Sequence, residues 1–124
     1  MSETTLQALI EAIAKEEGYG ILDARPTRNN NPGDLKPPMN LLTFWEGQDG
    51  TDAEGFAVFA SEWWGWRALR VNVLTHARKH PEQSLAGFIA QFAPSTENNT
   101  LAYTHAVASA LGVDPVTTLL VDLV

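Results

Sequence analysis

The 124-residue sequence contains no cysteine, which excludes both a disulfide framework and thiol-based catalysis. Basic residues are scarce: the sequence has eight lysines and arginines and fifteen acidic residues, which gives a net charge of −7. Nucleic-acid binding depends on clustered basic side chains that contact phosphates, so this balance argues against a nucleic-acid partner. The same charge gives no long-range attraction to an anionic surface, although Arg25, Arg28 and Lys36 form a local basic cluster.

Long apolar runs are also missing. No run reaches the length of about 20 residues that a membrane helix needs, so we expect no membrane span. The N-terminus lacks a basic leader followed by an apolar stretch and a small-residue cleavage site, so we expect synthesis in the cytoplasm without a signal peptide. With 44% hydrophobic and 19% charged residues and no internal repeat or linker, residues 1–124 predict a single folded domain.

The spacing of apolar residues predicts an amphipathic helix over residues 4–17, ended by Gly18 and Gly20. Its apolar stripe consists of Leu6, Leu9, Ile10 and Ile13. Further helices are predicted downstream, where a capping residue or a terminating glycine or proline bounds each stretch. They run from the N-cap Ser61 to about residue 79, over residues 83–92 and 98–111, and onward from Asp114-Pro115.

The segment between the first two helices has a different composition. Residues 19–42 hold four prolines and three consecutive asparagines, which predicts a long ordered loop. Residues 43–45 and 56–59 then flank a Gly/Asp-rich stretch, which predicts two short strands joined by a loose turn over 46–55. The expected fold is mainly α within the α+β class: a helical domain with a small β-hairpin and a long loop that forms a cleft.

Glu17 stands out because, at about 100° per residue, it falls within the apolar stripe of the first helix. Glu16 lies toward the edge of that stripe and Glu11 on its far side. Partial desolvation and the helix C-terminus should both raise the pKa of Glu17, as the general acid of a glycosidase requires. The alternative is a solvated glutamate in the last turn, and spacing alone leaves both open.

The loop Arg28–Leu35 offers side chains that could bind a sugar. The amides of Asn29, Asn30 and Asn31 supply donors and acceptors suited to the acetamido and hydroxyl groups of amino sugars. The alternative is a turn in which these amides cap their own backbone. Sequence alone leaves both interpretations open.

A helix that ends in Glu-Gly, followed by Arg-Asn-Asn-Asn-Pro-Gly-Asp-Leu, resembles phage and prophage lysozyme-like domains. These domains are related to goose-type lysozymes and soluble lytic transglycosylases. Three later segments match the same group in order, and the likeness spans about residues 6–115. The segments are Phe56–Ser61 with Gly65 and Ala68-Leu69, Phe92–Thr100 with Tyr103, and Leu111–Val113. Two positions depart from the pattern: Asp34 replaces the usual Asn, which adds a negative charge near the expected cleft, and Phe92 replaces the usual Tyr.

The resemblance implies a lytic transglycosylase or muramidase that cleaves peptidoglycan glycan strands with Glu17 as its single general acid/base. It favours the 1,6-anhydro product of a transglycosylase over simple hydrolysis. Glu97 is a second carboxylate that either caps the helix that follows or lies on the cleft wall opposite Glu17. The expected substrate-binding residues are Tyr19, Asn30, Asn31, Ser61, Glu97, Asn98 and Tyr103.

The remaining chemistry-bearing side chains have weaker interpretations. Trp63, Trp64 and Trp66 could stack on sugar rings, but such a cluster more often anchors a helix in the core. His76 and His80 have the i, i+4 spacing of metal ligands, but no third ligand is evident, so we expect no metal and no other cofactor.

A second hypothesis is a non-catalytic module on the same fold, which grips glycan or serves as a structural part of a virion or secretion apparatus. The acidic charge and the missing export signal favour this alternative. The expected partner is the peptidoglycan glycan strand, with virion or secretion-apparatus proteins as possible further partners. The protein would reach the cell wall by export, within a virion or after lysis.

Overall fold

The computed structural model describes residues 3–38, 43–93 and 99–124, apart from the side chains of Glu3 and Thr4. Helices predominate in this part of the chain, together with one two-stranded antiparallel sheet, which confirms the predicted mainly helical α+β class. The elements are α1 (Glu3–Glu17), α2 (Arg25–Arg28), β1 (Gln48–Thr51), β2 (Ala57–Phe59), α3 (Glu62–Lys79), α4 (Leu85–Phe92), α5 (Thr100–Leu111) and a 3₁₀ helix (Leu120–Leu123).

The chain groups into two compact units, whose boundaries fall within α1 and α3. The helical unit comprises Met1–Ala12 and Val73–Val124, and the loop unit comprises Ile13–Asn72. A single domain over residues 1–124 stays a prediction. No helix in the described ranges combines the length and apolar character needed to cross a membrane.

The apolar stripe of α1 is confirmed, since each of its residues is at most 2% exposed. Leu6, Leu9 and Ile10 belong to the core of the helical unit, whereas Ile13 belongs to that of the loop unit. The predicted bounds of this helix are correct to within one residue.

In the helical unit, α4 and α5 begin slightly later than the sequence predicts because their N-caps lie inside the predicted ranges. Ser84 Oγ accepts the Gly87 N–H at 3.0 Å, and Asn99 Oδ1 accepts the Ala102 N–H at 3.1 Å. Gly112, with φ 68°, ends α5 as predicted. Both helices are therefore confirmed with shifted starts.

The predicted helix from Asp114-Pro115 is wrong. Asp114 does cap the backbone, because its Oδ1 accepts the N–H groups of Val116 and Thr117 at 2.8 and 3.2 Å. Only a turn follows, since Leu119 is drawn into an antiparallel bridge with Ser84. The chain then closes with the 3₁₀ helix.

The first predicted strand, over residues 43–45, is also wrong. The strand that pairs with β2 is β1, which lies inside the predicted turn of residues 46–55. Asp52 determines this outcome, because its Oδ1 accepts the N–H groups of Glu54 and Phe56, each at 2.9 Å, and closes a tight turn. β1 is irregular: Gln48 pairs with Phe59 and Thr51 with Ala57, which leaves one extra residue on β1.

The predicted loop over residues 19–42 is interrupted by α2, which begins directly before Pro26. Proline is favoured in the first turn of a helix, where its missing N–H costs no hydrogen bond. Residues 39–42 of the predicted loop lie outside the described residues.

Candidate active site

Glu17 occupies the end of α1, where the helix closes in a Schellman turn. The Tyr19 N–H donates to the Ala14 carbonyl at 3.0 Å, and the Gly18 N–H donates to the Lys15 carbonyl at 3.1 Å. Gly18 adopts φ 92°, a conformation that glycine reaches without strain. The turn fixes the direction in which the chain leaves the helix directly after Glu17.

Of the glutamates in α1 whose side chains are described, Glu11, Glu16 and Glu17 differ in exposure as their helical positions predict. Glu17 is half-buried, whereas Glu16 and Glu11 are exposed. Of these carboxyl groups, Glu17 is therefore the one that is partly shielded from water. It also has an interaction within the protein.

Tyr19, two residues after Glu17, is half-buried against α3. Its ring meets the ring of Trp66 edge-on, with 5.4 Å between centroids. Its hydroxyl donates a long hydrogen bond of 3.5 Å to Glu62 Oε2. Burial, and then the adjacent Glu62 carboxylate, raise the pKa of Tyr19 above its ordinary value, so the phenol stays protonated at neutral pH.

Sequence reasoning did not single out Glu62, and it named Glu97 as the second carboxylate of interest. Glu62 is an exposed residue in the first turn of α3, where acidic side chains are favoured by the helix dipole. Glu62 and Tyr19 are far apart in the sequence, so the sequence gives no indication that they contact each other. Only the folding of α3 against the segment after α1 brings these two side chains together.

Asn29, Asn30 and Asn31 mainly form hydrogen bonds that fasten the loop to the edge of β2 that does not pair with β1; we call these three residues the asparagine clasp. Asn31 is 0% exposed, and its Nδ2 donates to the carbonyl groups of Leu35 and Ala57, each at 2.9 Å. Its Oδ1 accepts the Leu35 N–H at 2.9 Å. A side chain that is fully buried and bonded in this way cannot contact a sugar in this conformation, so the backbone-capping interpretation holds for Asn31.

Asn29 and Asn30 extend the clasp. The Asn29 carbonyl accepts the Phe59 N–H at 2.9 Å, and its Nδ2 donates to Asp52 Oδ2 at 2.9 Å. Asn30 Nδ2 donates to the Phe59 carbonyl at 3.1 Å. Asn30 is only half-buried, and its amide has a second N–H and a carbonyl oxygen beyond this bond. Of the two asparagines predicted to bind substrate, Asn30 is the accessible one.

α3 lies directly against this loop. A Cβ atom on Gly65 would overlap the Asn30 carbonyl oxygen and would lie 2.8 Å from Pro32 Cδ. Gly65 therefore permits a close approach of helix and loop that no other residue allows. This contact explains why a glycine stands within a helix, where it is ordinarily unfavourable.

Asp34, the departure from the resemblance pattern, is neutralised by the fold. Arg25 Nη2 and Nε donate to its carboxylate, with distances of 2.6 Å to Oδ2 and 3.0 Å to Oδ1. The hydrogen bond from Arg25 to Asp34 raises the pKa of Arg25. The negative charge of Asp34 and the positive charge of Arg25 therefore compensate each other.

The other predicted site residues have different surroundings. Ser61 is exposed in the loop unit and directly precedes Glu62. Tyr103 belongs to the helical unit and is 3% exposed, so its hydroxyl is largely shielded from solvent. Glu97 and Asn98 lie outside the described residues.

The three tryptophans separate into two anchors and one exposed ring. Trp66 packs on Tyr19, and Trp64 lies against Gly47, where a Cβ atom would overlap its ring. Trp63 is 62% exposed. Trp64 and Trp66 are thus half-buried against other residues of the loop unit, while Trp63 is available at the surface.

His76 packs edge-on against Phe88, with ring centroids 5.2 Å apart, and its ring centroid lies 6.2 Å from that of His80. Burial, and then the nearby side chains of His80 and Lys79, lower the pKa of His76. Within the described ranges, no three metal-ligating side chains come together in a cluster.

Comparison with known proteins identifies a phage relative. The chain is 36% identical to "Protein P5" of Pseudoalteromonas phage PM2 over 91 residues, which is 73% of this chain. The aligned part spans 57% of the length of that relative. No protein-family model and no solved structure matches the chain. The chain is thus similar to a phage protein.

Proposed function

We propose that this chain cleaves the glycan strands of bacterial peptidoglycan, with Glu17 as its single general acid/base. The observation that carries the proposal is the half-buried position of Glu17 at the hydrogen-bonded end of α1. A general acid must be partly shielded from water and must still reach the substrate. Of Glu11, Glu16 and Glu17, only Glu17 is partly shielded from water while part of it stays exposed.

Glu17 would donate its proton to the glycosidic oxygen between N-acetylmuramic acid and N-acetylglucosamine. The bond would then break through an oxocarbenium-like state, stabilised by the substrate's own acetamido group. The Glu17 carboxylate would next take a proton from the group that attacks C1. That group is water in a muramidase or the muramic acid 6-hydroxyl in a lytic transglycosylase, and the resemblance favours the latter.

Three residues of the loop unit would contact the sugar near Glu17. Tyr19 and Asn30 are half-buried with polar groups that can bond to hydroxyl or acetamido groups, and Ser61 is exposed. We leave Asn31 out of this set because its amide is fully engaged by the backbone. Glu97, Asn98 and Tyr103 stay predictions from the resemblance.

The proposal is tested by digesting purified peptidoglycan and measuring the released muropeptides by mass spectrometry. Wild type should release soluble products, and Glu17→Gln should reduce release by at least about a thousandfold, as expected for loss of an essential acid. Products lighter by one water than hydrolysis products would identify the anhydro route.

Glu16→Gln is the matched control, since it removes a neighbouring carboxylate that is exposed. It should retain nearly full activity. Comparable losses in the two variants would show that the wrong face of α1 has been assigned to the site. Full activity of Glu17→Gln would overturn the single-acid proposal.

The second candidate is a non-catalytic virion module, and the similarity to a phage protein favours it. In this case the chain would bind glycan or virion proteins without cutting. Wild-type protein that sediments with peptidoglycan but releases no muropeptides would support this candidate. In both cases the protein would act at the cell wall, carried by a virion or released by lysis.

A further inference from the structure

Trp63 is an unusual surface residue, because a large aromatic side chain is 62% exposed at the start of a helix. Burying such a ring contributes strongly to stability or binding, so its exposure needs an explanation. Its neighbours Trp64 and Trp66 are each placed against another part of the loop unit. Packing therefore accounts for those two rings but leaves most of Trp63 uncovered.

The ring of Trp63 packs against the ring of the next residue, Trp64. Trp64 meets it edge-on, with 4.8 Å between centroids and 90° between planes. Trp64 is itself held against Gly47, where no side chain could fit. Because the two ring planes are perpendicular and Trp63 is 62% exposed, ring surface of Trp63 stays accessible for a ligand to stack on.

The first turn of α3 also lies next to the segment that follows Glu17. Glu62, the residue before Trp63, accepts the hydrogen bond from Tyr19, and Tyr19 is two residues beyond Glu17. A sugar ring has an apolar face and a rim of hydroxyl groups. An exposed aromatic ring in the same helical turn as this carboxylate–hydroxyl pair therefore offers the kind of surface on which a pyranose stacks.

We propose that Trp63 is a glycan-binding residue, on which an N-acetylated amino-sugar ring of the substrate strand stacks. The assignment rests on the proposed glycan substrate and adds a binding residue to the proposed acid. Trp63 holds the strand and takes no part in proton transfer.

The test measures binding in the Glu17→Gln background, so that cleavage does not contribute. Calorimetric titration with chitotetraose, a tetramer of N-acetylglucosamine, gives the affinity. Trp63→Ala should weaken binding about tenfold, the loss typical of an aromatic anchor. Trp63→Phe should stay within about threefold of the parent, since a flat ring is retained.

Leu22→Ala is the matched control, because Leu22 is 86% exposed in the same unit but has no ring. It should bind as the parent does. Equal affinity of the parent and Trp63→Ala, or no binding by the parent, would overturn the assignment of Trp63 even if wild type digests peptidoglycan. Binding that depends on Trp63 in a protein that cuts nothing would keep the assignment and remove the catalytic proposal.

Discussion

The guanidinium of Arg25 donates hydrogen bonds to the carboxylate of Asp34. It also lies over the ring of Phe56, with 3.6 Å between Cζ and the ring centroid. Three segments of the loop unit meet at this point: α2, the turn after the asparagines, and the residue directly before β2. The ion pair is therefore a connection between the loop and the hairpin as well as a local charge balance.

Asp34→Asn should destabilise the protein by about 1–3 kcal/mol, because it leaves the Arg25 charge without its main partner. The Asp34 side chain is 8% exposed, so water cannot replace it fully. Asparagine tolerates the left-handed conformation of this residue, φ 49°, so the change isolates the charge. Urea denaturation with an unchanged m value measures the loss.

Glu54→Gln provides the control for this pair. Glu54 also contacts Arg25, at 3.4 Å, but its side chain is 64% exposed. Its replacement should cost at most about 1 kcal/mol, as is usual for surface ion pairs. Equal costs for the two variants would mean that burial does not strengthen the Arg25–Asp34 contact.

Asn31→Ala should destabilise the fold by about 3 kcal/mol or more. The Leu35 N–H and the Ala57 carbonyl would lose this partner, and the Leu35 carbonyl would keep only the Ala57 N–H, in a site that water does not reach. Asn30→Ala, which removes one hydrogen bond to Phe59 and places alanine at the left-handed φ of 52°, should cost about 2 kcal/mol. Thermal and chemical unfolding measure the free energy of unfolding of the two variants. A larger loss in Asn30→Ala than in Asn31→Ala would contradict the proposed role of Asn31 in fastening the loop to β2.

Gly65→Ala should destabilise the protein, although alanine ordinarily stabilises a helix by about 1 kcal/mol relative to glycine. The added methyl group would overlap the Asn30 carbonyl oxygen and force α3 and the loop apart. Gly87→Ala in α4 is the control, because its nearest contact is the flexible Gln83 side chain at 3.2 Å. A stabilised Gly65→Ala protein would be incompatible with the close approach of helix and loop.

Acid should weaken the hairpin turn through Asp52. Burial alone would raise the pKa of Asp52, but hydrogen bonds from Asn29 and from the Phe56 and Glu54 N–H groups lower it below its ordinary value. Because the folded pKa lies below the unfolded value of about 3.9, the ionised carboxylate stabilises the fold above that pH. This stabilisation is lost as the pH falls through about 4 toward the lower folded pKa.

Melting temperatures between about pH 3 and 7 test this dependence. Asp52→Asn should be less stable than wild type at neutral pH, since its amide cannot accept all three hydrogen bonds. It should also lose less stability on acidification. A remaining slope is expected from Asp114, whose pKa is lowered by hydrogen bonds from the Val116 and Thr117 N–H groups. Parallel curves for the two proteins would exclude Asp52 as a source of acid sensitivity.

Much of the helical structure could be predicted because its causes are local. The stripe of α1, the stop at Gly18 and the end of α5 at Gly112 each follow from residues within one or two helical turns. The contrast between Glu17 and Glu16 follows from the same periodicity. Of the two wrong elements, the helix from Asp114 fails because Leu119 pairs with the distant Ser84. The strand over 43–45 fails because the turn at Asp52 pairs β1, and not residues 43–45, with β2.

The candidate site shows the same division. The sequence by itself determined that Glu17 ends an apolar stripe, that three amides follow, and that no thiol chemistry is possible. Tertiary structure decided that Asn31 is used by the backbone of Leu35 and Ala57, and that Asp34 is neutralised by Arg25. It also decided that Glu62 meets Tyr19 and that Trp63 stays exposed while Trp64 does not. Helical periodicity is encoded over a few neighbouring residues, whereas the partner of a polar side chain depends on which segments lie together in the folded chain.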